Sequence, residues 1–463
     1  MNLILIVLDS FRQDHVACYG KPAWYEKPIQ TPALDRFAAE SVRFLNAYPE
    51  ALPTIPVRTA LLTGQRTLPF RPWQPLTRED VTASEIFAEL GYINAMITDT
   101  YHLAKPGMNF HRGFHSFMFI RGQESDAFRT GPHGKQLDDV LHPKMKGTDK
   151  EKVVDQYLRN TAHWTSDEDC FPAQVFKEAC RFIEGIGERP FFLWVDSFDP
   201  HEPWMPLPPF DALYADPSYT GPRLIDALYS TVDYMSPEEL AFLRAMYAGE
   251  ATMTDKWFGH FIEQLRDLDL LDRSLILVLA DHGHPLGDHS KIMKHPDNLY
   301  SELLRIPFLL RFPSAEHAGQ VVHALIQMDD VLPTFLDWIG CAHESIAMHG
   351  RSVLPVIEGQ VERLRDHVVT GYHQSPYRCV RDLEWSYLYR PEGPELYHLL
   401  DDPEEHTNLI EAYPEVAEEL HRKIGVFSFT KQGKRRGKTV QEQYEWAGTS
   451  VSLDRNPTIS RGV

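Results

Sequence analysis

Five short apolar runs, "NLILIVLDS", "YINAMITDT", "PFFLWVDSFDP", "SLILVLADHG" and "IPFLLRF", recur along a chain of 463 residues. Each is apolar at consecutive rather than alternate positions, the pattern of a parallel strand buried on both faces. Helical patterns lie between them, such as "TASEIFAEL", "PAQVFKEACRFIEGI" and "DKWFGHFIEQLRDL". Strands alternating with helices predict an α/β fold, an open, mostly parallel sheet sandwiched by helices. Four of the runs end in an acid: Asp9, Asp99, Asp196 and Asp281. The C-terminal edge of such a sheet is where ligands bind, so these acids are the first candidates for a site.

Composition narrows the function classes. Hydrophobic content of 43% and charged content of 24% are those of a globular chain. A formal net charge of −20 argues against wrapping nucleic acid, which needs a basic footprint. A small anionic substrate stays open, since a metal or a few arginines can reverse the field locally. The five cysteines, at 18, 170, 180, 341 and 379, show no CxxC spacing, and their odd count suits a reduced, cytoplasmic setting. The apolar start lacks a basic flank and a small-residue cleavage site. No run reaches membrane-spanning length, so neither a signal peptide nor a membrane anchor is expected.

Residues 1–365 read as the catalytic α/β unit, with a polar, aperiodic insertion loop over 120–165. Residues 366–430 read as a small α+β subdomain: "HVVTGYH", "YRCVRDLEWSYLYRP" and "ELYHLL" as short strands, then "PEVAEELHRKIGVF" as a closing helix. The tail, 431–463, carries the basic "KQGKRRGK". It reads as a solvated or partner-contacting arm rather than a polyanion site, and would suit arm exchange in a homo-oligomer.

Asp9 and the Asp281–His282 pair, converging from two strand ends, form an oxygen-rich set suited to a divalent cation. Asp9 alone would equally cap a helix. The stretch "ALPTIPVRTALLTG" places Thr54 near a helix start, with Arg58 one turn on. A helix N-terminus favours an anion, a guanidinium fork can grip one, and a metal-bound hydroxyl can attack an electrophile. The plainer alternative is a capping Thr54 and a surface ion pair for Arg58.

Taken together these segments resemble the sulfatase family of the alkaline phosphatase superfamily. "TIPVRTALLTG" is similar to its signature of Cys or Ser, then x-Pro-x-Arg, then Leu-Thr-Gly. "IVLDSFRQDHVACYG" resembles the metal-binding first turn, "VDSFDPHEPW" the Asp-Pro-His segment, and "LADHGHPLGDHSKIMK" the Asp-His-Gly segment with its trailing lysine. "QMDDVLPTFLDWIG" resembles the late helix and "ELYHLLDDPEEHTNL" the C-terminal hallmark. The resemblance implies an alkaline-phosphatase-like fold and one divalent metal, Mn, Zn, Ca or Mg, held by Asp9, Asp281, His282 and Thr54. Thr54 takes the nucleophile position, and Arg58, His102, His201 and Lys294 surround the transferred anion.

Three departures bear on chemistry. Thr54 is not convertible to the formylglycine of sulfatases proper, so no formylglycine is expected. Ser10 stands where many sulfatases have a second aspartate, as in the phosphonate monoester hydrolase and phosphodiesterase branch. Thr100 replaces a lysine, which removes a cation and suits a monoanionic diester or sulfate. His295, Asp196 and His373 are candidate fragments of a second metal set. Arg121, Glu124, His133 and Arg159 read as solvated loop residues that could reach the mouth. The expectation is a hydrolase of a sulfate, phosphate or phosphonate ester; the alternative is a weak or inactive anion-binding relative.

Overall fold

The computed structural model describes residues 1–341 and 347–429, together with the two-residue strands Lys434–Arg435 and Lys438–Thr439. The rest of the expected tail lies outside the described residues. The apolar runs form the interior of an eight-stranded sheet. In chain order its strands are β1 (Asn2–Leu8), β2 (Val42–Phe44), β3 (Ile93–Thr98), β4 (Ser116–Phe119), β5 (Phe191–Ser197), β6 (Ser274–Leu279), β7 (Phe308–Arg311) and β8 (Val321–Val322). Their spatial order is β8-β2-β7-β6-β1-β5-β3-β4.

All seven residues of β1 are buried, as expected of a strand covered on both faces. Around it the pairing is parallel, to β5 on one side and β6 on the other. The run "IPFLLRF" departs from expectation: β7 is antiparallel to both β6 and β2. All four of its residues are buried, so its composition is that of a two-faced strand whichever way it runs.

The helices between the strands as far as β6 are α1 (Pro32–Ala39), α2 (Thr54–Thr63), α3 (Ala83–Glu89), α4 (Tyr101–Ala104), α5 (Asp149–Thr161), α6 (Phe171–Gly185) and α7 (Pro237–Asp267), and the four-residue helix Ser301–Leu304 precedes β7. Starts follow local chemistry. Thr82 with Glu85 and Ser236 with Glu239 form capping boxes at α3 and α7, each satisfying two otherwise orphaned N–H groups. The expected structureless insertion is corrected by α5, a 13-residue helix inside it. Its apolar stripe is only Val154, Tyr157 and Leu158, spaced three and one apart among charges, too short a pattern to stand out in sequence.

Beyond the main sheet, Val368–Gly371, Arg378–Arg381, Trp385–Tyr389 and Glu395–His398 form a four-stranded antiparallel sheet, followed by the helix Pro414–Phe429. Buried Arg381, paired with Glu405 at 2.6 Å, ties it to the main body through the Ser301 hydroxyl at 2.8 Å, and Ser301 in turn donates to Glu405 at 2.8 Å. Beside this pair, His289 stacks on Tyr300 with centroids 3.6 Å apart. Its ring nitrogens reach Glu302 at 2.9 Å and the Glu405 carbonyl at 3.1 Å, so both donate only when the imidazole is protonated.

Burial opposes that charge, but Glu302 and Glu405 outweigh it and raise His289 from 6.5 to about 9. The folded value lies above the unfolded one. The contribution is therefore complete below about pH 6.5 and is lost as pH rises through about 9. Denaturant titrations should show stability falling by roughly 3 kcal/mol across that window, at 1.36 kcal/mol per unit. His289→Asn should flatten the fall, and an unchanged slope would remove His289 as its cause.

Candidate active site

Strand register brings the first acids together. Val7 pairs with Asp196 of β5 and with Leu279 of β6. Asp9 and Asp281, each two residues beyond those positions, therefore leave the sheet at one level, beside Asp196. All three carboxylates are fully buried. Asp99 ends β3 on the same edge but turns away, accepting the Phe198 N–H at 2.7 Å and the Gln123 amide at 2.9 Å. Burial pushes it up to about 7.

Arg58 lies among the three carboxylates. It reaches Asp196 with two bonds, Nε at 3.1 Å and Nη2 at 3.0 Å, contacts Asp9 at 2.9 Å, and pairs with Asp281. Asp196, considered above as part of a second metal set, is instead the residue that holds Arg58. Thr100 joins it, its hydroxyl donating to Asp196 Oδ1 at 2.5 Å, and the Trp194 indole donates to the other oxygen at 3.1 Å. The surface ion pair that was the plainer alternative for Arg58 is thus excluded by a fully buried fork.

Thr54 is the first residue of α2 and is buried; it is not the cap. The cap position is Pro53, which offers no side-chain acceptor, so the helix start is left to other partners. Arg58 follows one turn later on the same helix.

The donor set of Asp9, Asp281 and His282 fits a divalent cation. One ligand atom from each lies within 4.8 Å of the others. Asp9 Oδ2 and His282 Nε2 are both buried without a hydrogen-bond partner. The Arg58 contact to Asp9 Oδ2 is therefore an ion pair lacking hydrogen-bond direction. His282 Nδ1 sits 2.8 Å from the Gly283 carbonyl and donates to it, which leaves the Nε2 lone pair free for a metal. Gly283 is required here, since a Cβ would stand 2.1 Å from the Glu302 carbonyl oxygen.

Burial and the neighbouring Asp281 hold Asp9 well above the usual carboxylate range. Burial also opposes the charge on Asp281, but Arg58 and His282 outweigh it and hold Asp281 well below that range. Ser10, in place of a second aspartate, braces the pair: its hydroxyl donates to Asp9 at 2.9 Å and its N–H to Asp281 at 3.0 Å.

A second group gathers His201, Lys294 and Glu202. Lys294 Nζ lies 3.1 Å from His201 Nε2 and 2.6 Å from Glu202. Burial lowers the His201 pKa to about 3, so this imidazole is neutral and accepts from the ammonium. Glu202, which the sequence offers only as a pairing partner for His201 and not as a site residue, also takes Lys150 of α5 at 3.5 Å, while Asp226 grips that lysine at 2.8 Å. His284 is a further residue not foreseen: fully buried, with neither ring nitrogen hydrogen-bonded, 3.7 Å from Glu202. Both lie inside quoted motifs, but nothing local marks them.

Glu124, His201 and Glu202 have the spacing of metal ligands. Lys294 already supplies a cation to two of them. His295 pairs with Asp297 at 3.0 Å, and neither it nor His373 belongs to either such cluster among the described residues.

Of the four loop residues, Arg121 pairs with Asp126, and His133 and Arg159 both pair with Asp155. Glu124 alone reaches inward, to His102 at 3.3 Å.

Asp196→Asn should leave Arg58 free to shift toward Asp9 and Asp281, lowering Mn²⁺ affinity roughly 10–100-fold in a chelator competition. Unchanged affinity would show that Arg58 needs no such brace.

Comparison with known proteins agrees with this geometry. The sulfatase family profile matches residues 1–341, and that of the N-sulphoglucosamine sulphohydrolase C-terminal region matches residues 295–428. A multifunctional alkaline phosphatase superfamily protein of Trinickia caryophylli is 26% identical, covering 88% of this chain and 91% of its own. An arylsulfatase of Clostridium perfringens is 27% identical, covering 91% and 93%. In fold the chain is similar to a phosphonate monoester hydrolase of Agrobacterium radiobacter, with a TM-score of 0.71, 20% identity, and coverage of 91% and 94%. With most of its length matched, strand-end acids included, the chain belongs to the sulfatase family of the alkaline phosphatase superfamily and is an ester hydrolase.

Proposed function

We propose that this enzyme cleaves a sulfate, phosphate or phosphonate ester of a small anionic substrate through Thr54 and one divalent metal. The observation that carries this reading is the fully buried fork of Arg58 among Asp9, Asp196 and Asp281, set on the helix that Thr54 begins. Relatives that act as arylsulfatases, and structural neighbours that are phosphonate monoester hydrolases, support both substrate classes. Asp9, Asp281 and His282 would hold the metal, with the Thr54 hydroxyl as a further ligand. Bound there, a divalent cation supplies Lewis acidity, lowering the proton affinity of the nearby hydroxyl and drawing charge from a nonbridging oxygen.

The chain's own groups do the rest. Thr54 gives its hydroxyl proton to solvent and its Oγ forms the new bond to phosphorus or sulfur, while the bond to the leaving oxygen breaks and that oxygen departs with the electron pair, taking up a proton from solvent. The uncapped start of α2 favours the anion through its N–H groups. Asp196 keeps Arg58 aimed, and Lys294, held by Glu202 and His201, adds positive charge as charge develops on the transferred group. Thr54 has no carbonyl-forming route for expelling its ester, so water must finish the reaction at the transferred atom.

The charge balance favours a monoanion. The six carboxylates of Asp9, Asp196, Asp281, Glu124, Glu202 and Asp226 exceed the three cations of Arg58, Lys150 and Lys294, and still exceed the positive charge by one with a divalent metal bound. A diester or phosphonate monoester therefore fits better than a phosphate monoester dianion.

The test is a panel of aryl sulfate, aryl phosphate, diester and aryl phosphonate with Mn²⁺, Zn²⁺, Ca²⁺ or Mg²⁺. The diester or phosphonate should be turned over fastest. EDTA should abolish the activity and metal restore it, and Thr54→Ala should lower kcat at least about 10³-fold. Metal binding without turnover of any ester would overturn the reading, and turnover surviving in Thr54→Ala would remove the nucleophile.

A further inference from the structure

His102 and His201 both pack on Phe198, with ring centroids 5.9 Å and 4.0 Å away, yet they are not equivalent. Both nitrogens of His201 are engaged: Nδ1 donates to the Glu202 carbonyl at 2.7 Å, and Nε2 accepts from Lys294 at 3.1 Å. His102 has one nitrogen engaged, Nε2, at 3.3 Å from Glu124 Oε2. Its Nδ1 is buried and has no partner. An ionised carboxylate can only accept, so Glu124 keeps the proton on Nε2 and leaves a lone pair on Nδ1.

Glu124 is built into this place. It lies in the insertion, with φ of 44°, a left-handed conformation that a residue other than glycine holds only when its surroundings impose it. The preceding residue pins the segment: Gln123, fully buried, donates to Asp99 at 2.9 Å and to Asp199 at 3.1 Å. Burial alone would raise the Glu124 pKa, but hydrogen bonding to His102 outweighs it and holds it at about 2. The carboxylate also lies within 4.8 Å of His201 and Glu202, so it spans both imidazoles that share Phe198.

We propose that Glu124 is a positioning residue that sets His102 as the general base clearing the Thr54 ester. This rests on Thr54 being the nucleophile. In that step a water oxygen bonds to phosphorus or sulfur opposite Thr54, and its proton passes to His102 Nδ1. The bond to Thr54 Oγ breaks, the electron pair stays on Oγ, and Oγ regains a proton from solvent. The imidazolium then returns its proton to solvent, its charge held meanwhile by Glu124. Such a base contributes roughly 10²–10⁴-fold.

Glu124→Gln keeps the shape but can donate to Nε2 and so favours the wrong tautomer. On the aryl ester turned over fastest in the panel above, the variant should release a first equivalent of phenol at close to the wild-type rate. Steady-state kcat should fall roughly 10²-fold, and intact-protein mass spectrometry should show an adduct mapped to Thr54. Glu124→Asp should recover part of kcat. The proposal is overturned if Glu124→Gln leaves steady-state kcat within about twofold of wild type, or if burst and steady state fall together without adduct. If Thr54→Ala still turns over, or no ester is cleaved at all, the nucleophile reading has failed first.

Discussion

Everything at the strand edge depends on one buried guanidinium. Asp9, Asp196 and Asp281 come from three adjacent strands and are fully buried, a configuration that mutual repulsion and desolvation would forbid without a cation among them. Arg58 is that cation in the protein itself. Its planar fork donates two parallel bonds to Asp196 while its remaining reach meets Asp9 and Asp281. The same contacts fix α2 against the sheet and thereby place Thr54. A lysine, with one point charge, would satisfy only part of this geometry.

The second group repeats the principle with a different cation. Glu202 collects Lys294 and Lys150, and Tyr372 of the C-terminal region donates to the Lys294 carbonyl at 3.0 Å. Helix α5 and the C-terminal sheet are therefore not appendages to the site; each contributes a hydrogen bond that orients Lys294 or its partner. The sequence departures acquire roles in the same way. Thr100 braces Asp196, and Ser10 braces both metal-facing carboxylates. A lost cation at Thr100 and a lost anion at Ser10 have each become a hydrogen-bond donor, which keeps the acids aligned.

Much of this was legible before the structure. The five apolar runs are strands of one sheet, and Asp9, Asp281, His282, Arg58, His201 and Lys294 are all buried at or near its edge. What misled was local reading of residues whose partners are remote. Asp196 pairs with a residue 138 positions away, and Glu202 with one 92 away. Thr54 had every local mark of a cap, yet Pro53 occupies that position. The insertion looked aperiodic because its helix buries only one narrow stripe.

The sequence by itself determined the buried strands, because short, consecutive apolar runs between helical patterns suit strands covered on both faces, and it determined which acids end them, but not that β7 runs antiparallel. Only the tertiary structure decided what those acids do. Asp99 lies on the same edge as Asp9 and Asp281 but faces Phe198 and Gln123, Asp196 became a brace, and Glu124 became the partner of His102. Such roles follow from direction and distance between side chains at hydrogen-bond range, quantities that residue type and spacing along a chain do not contain.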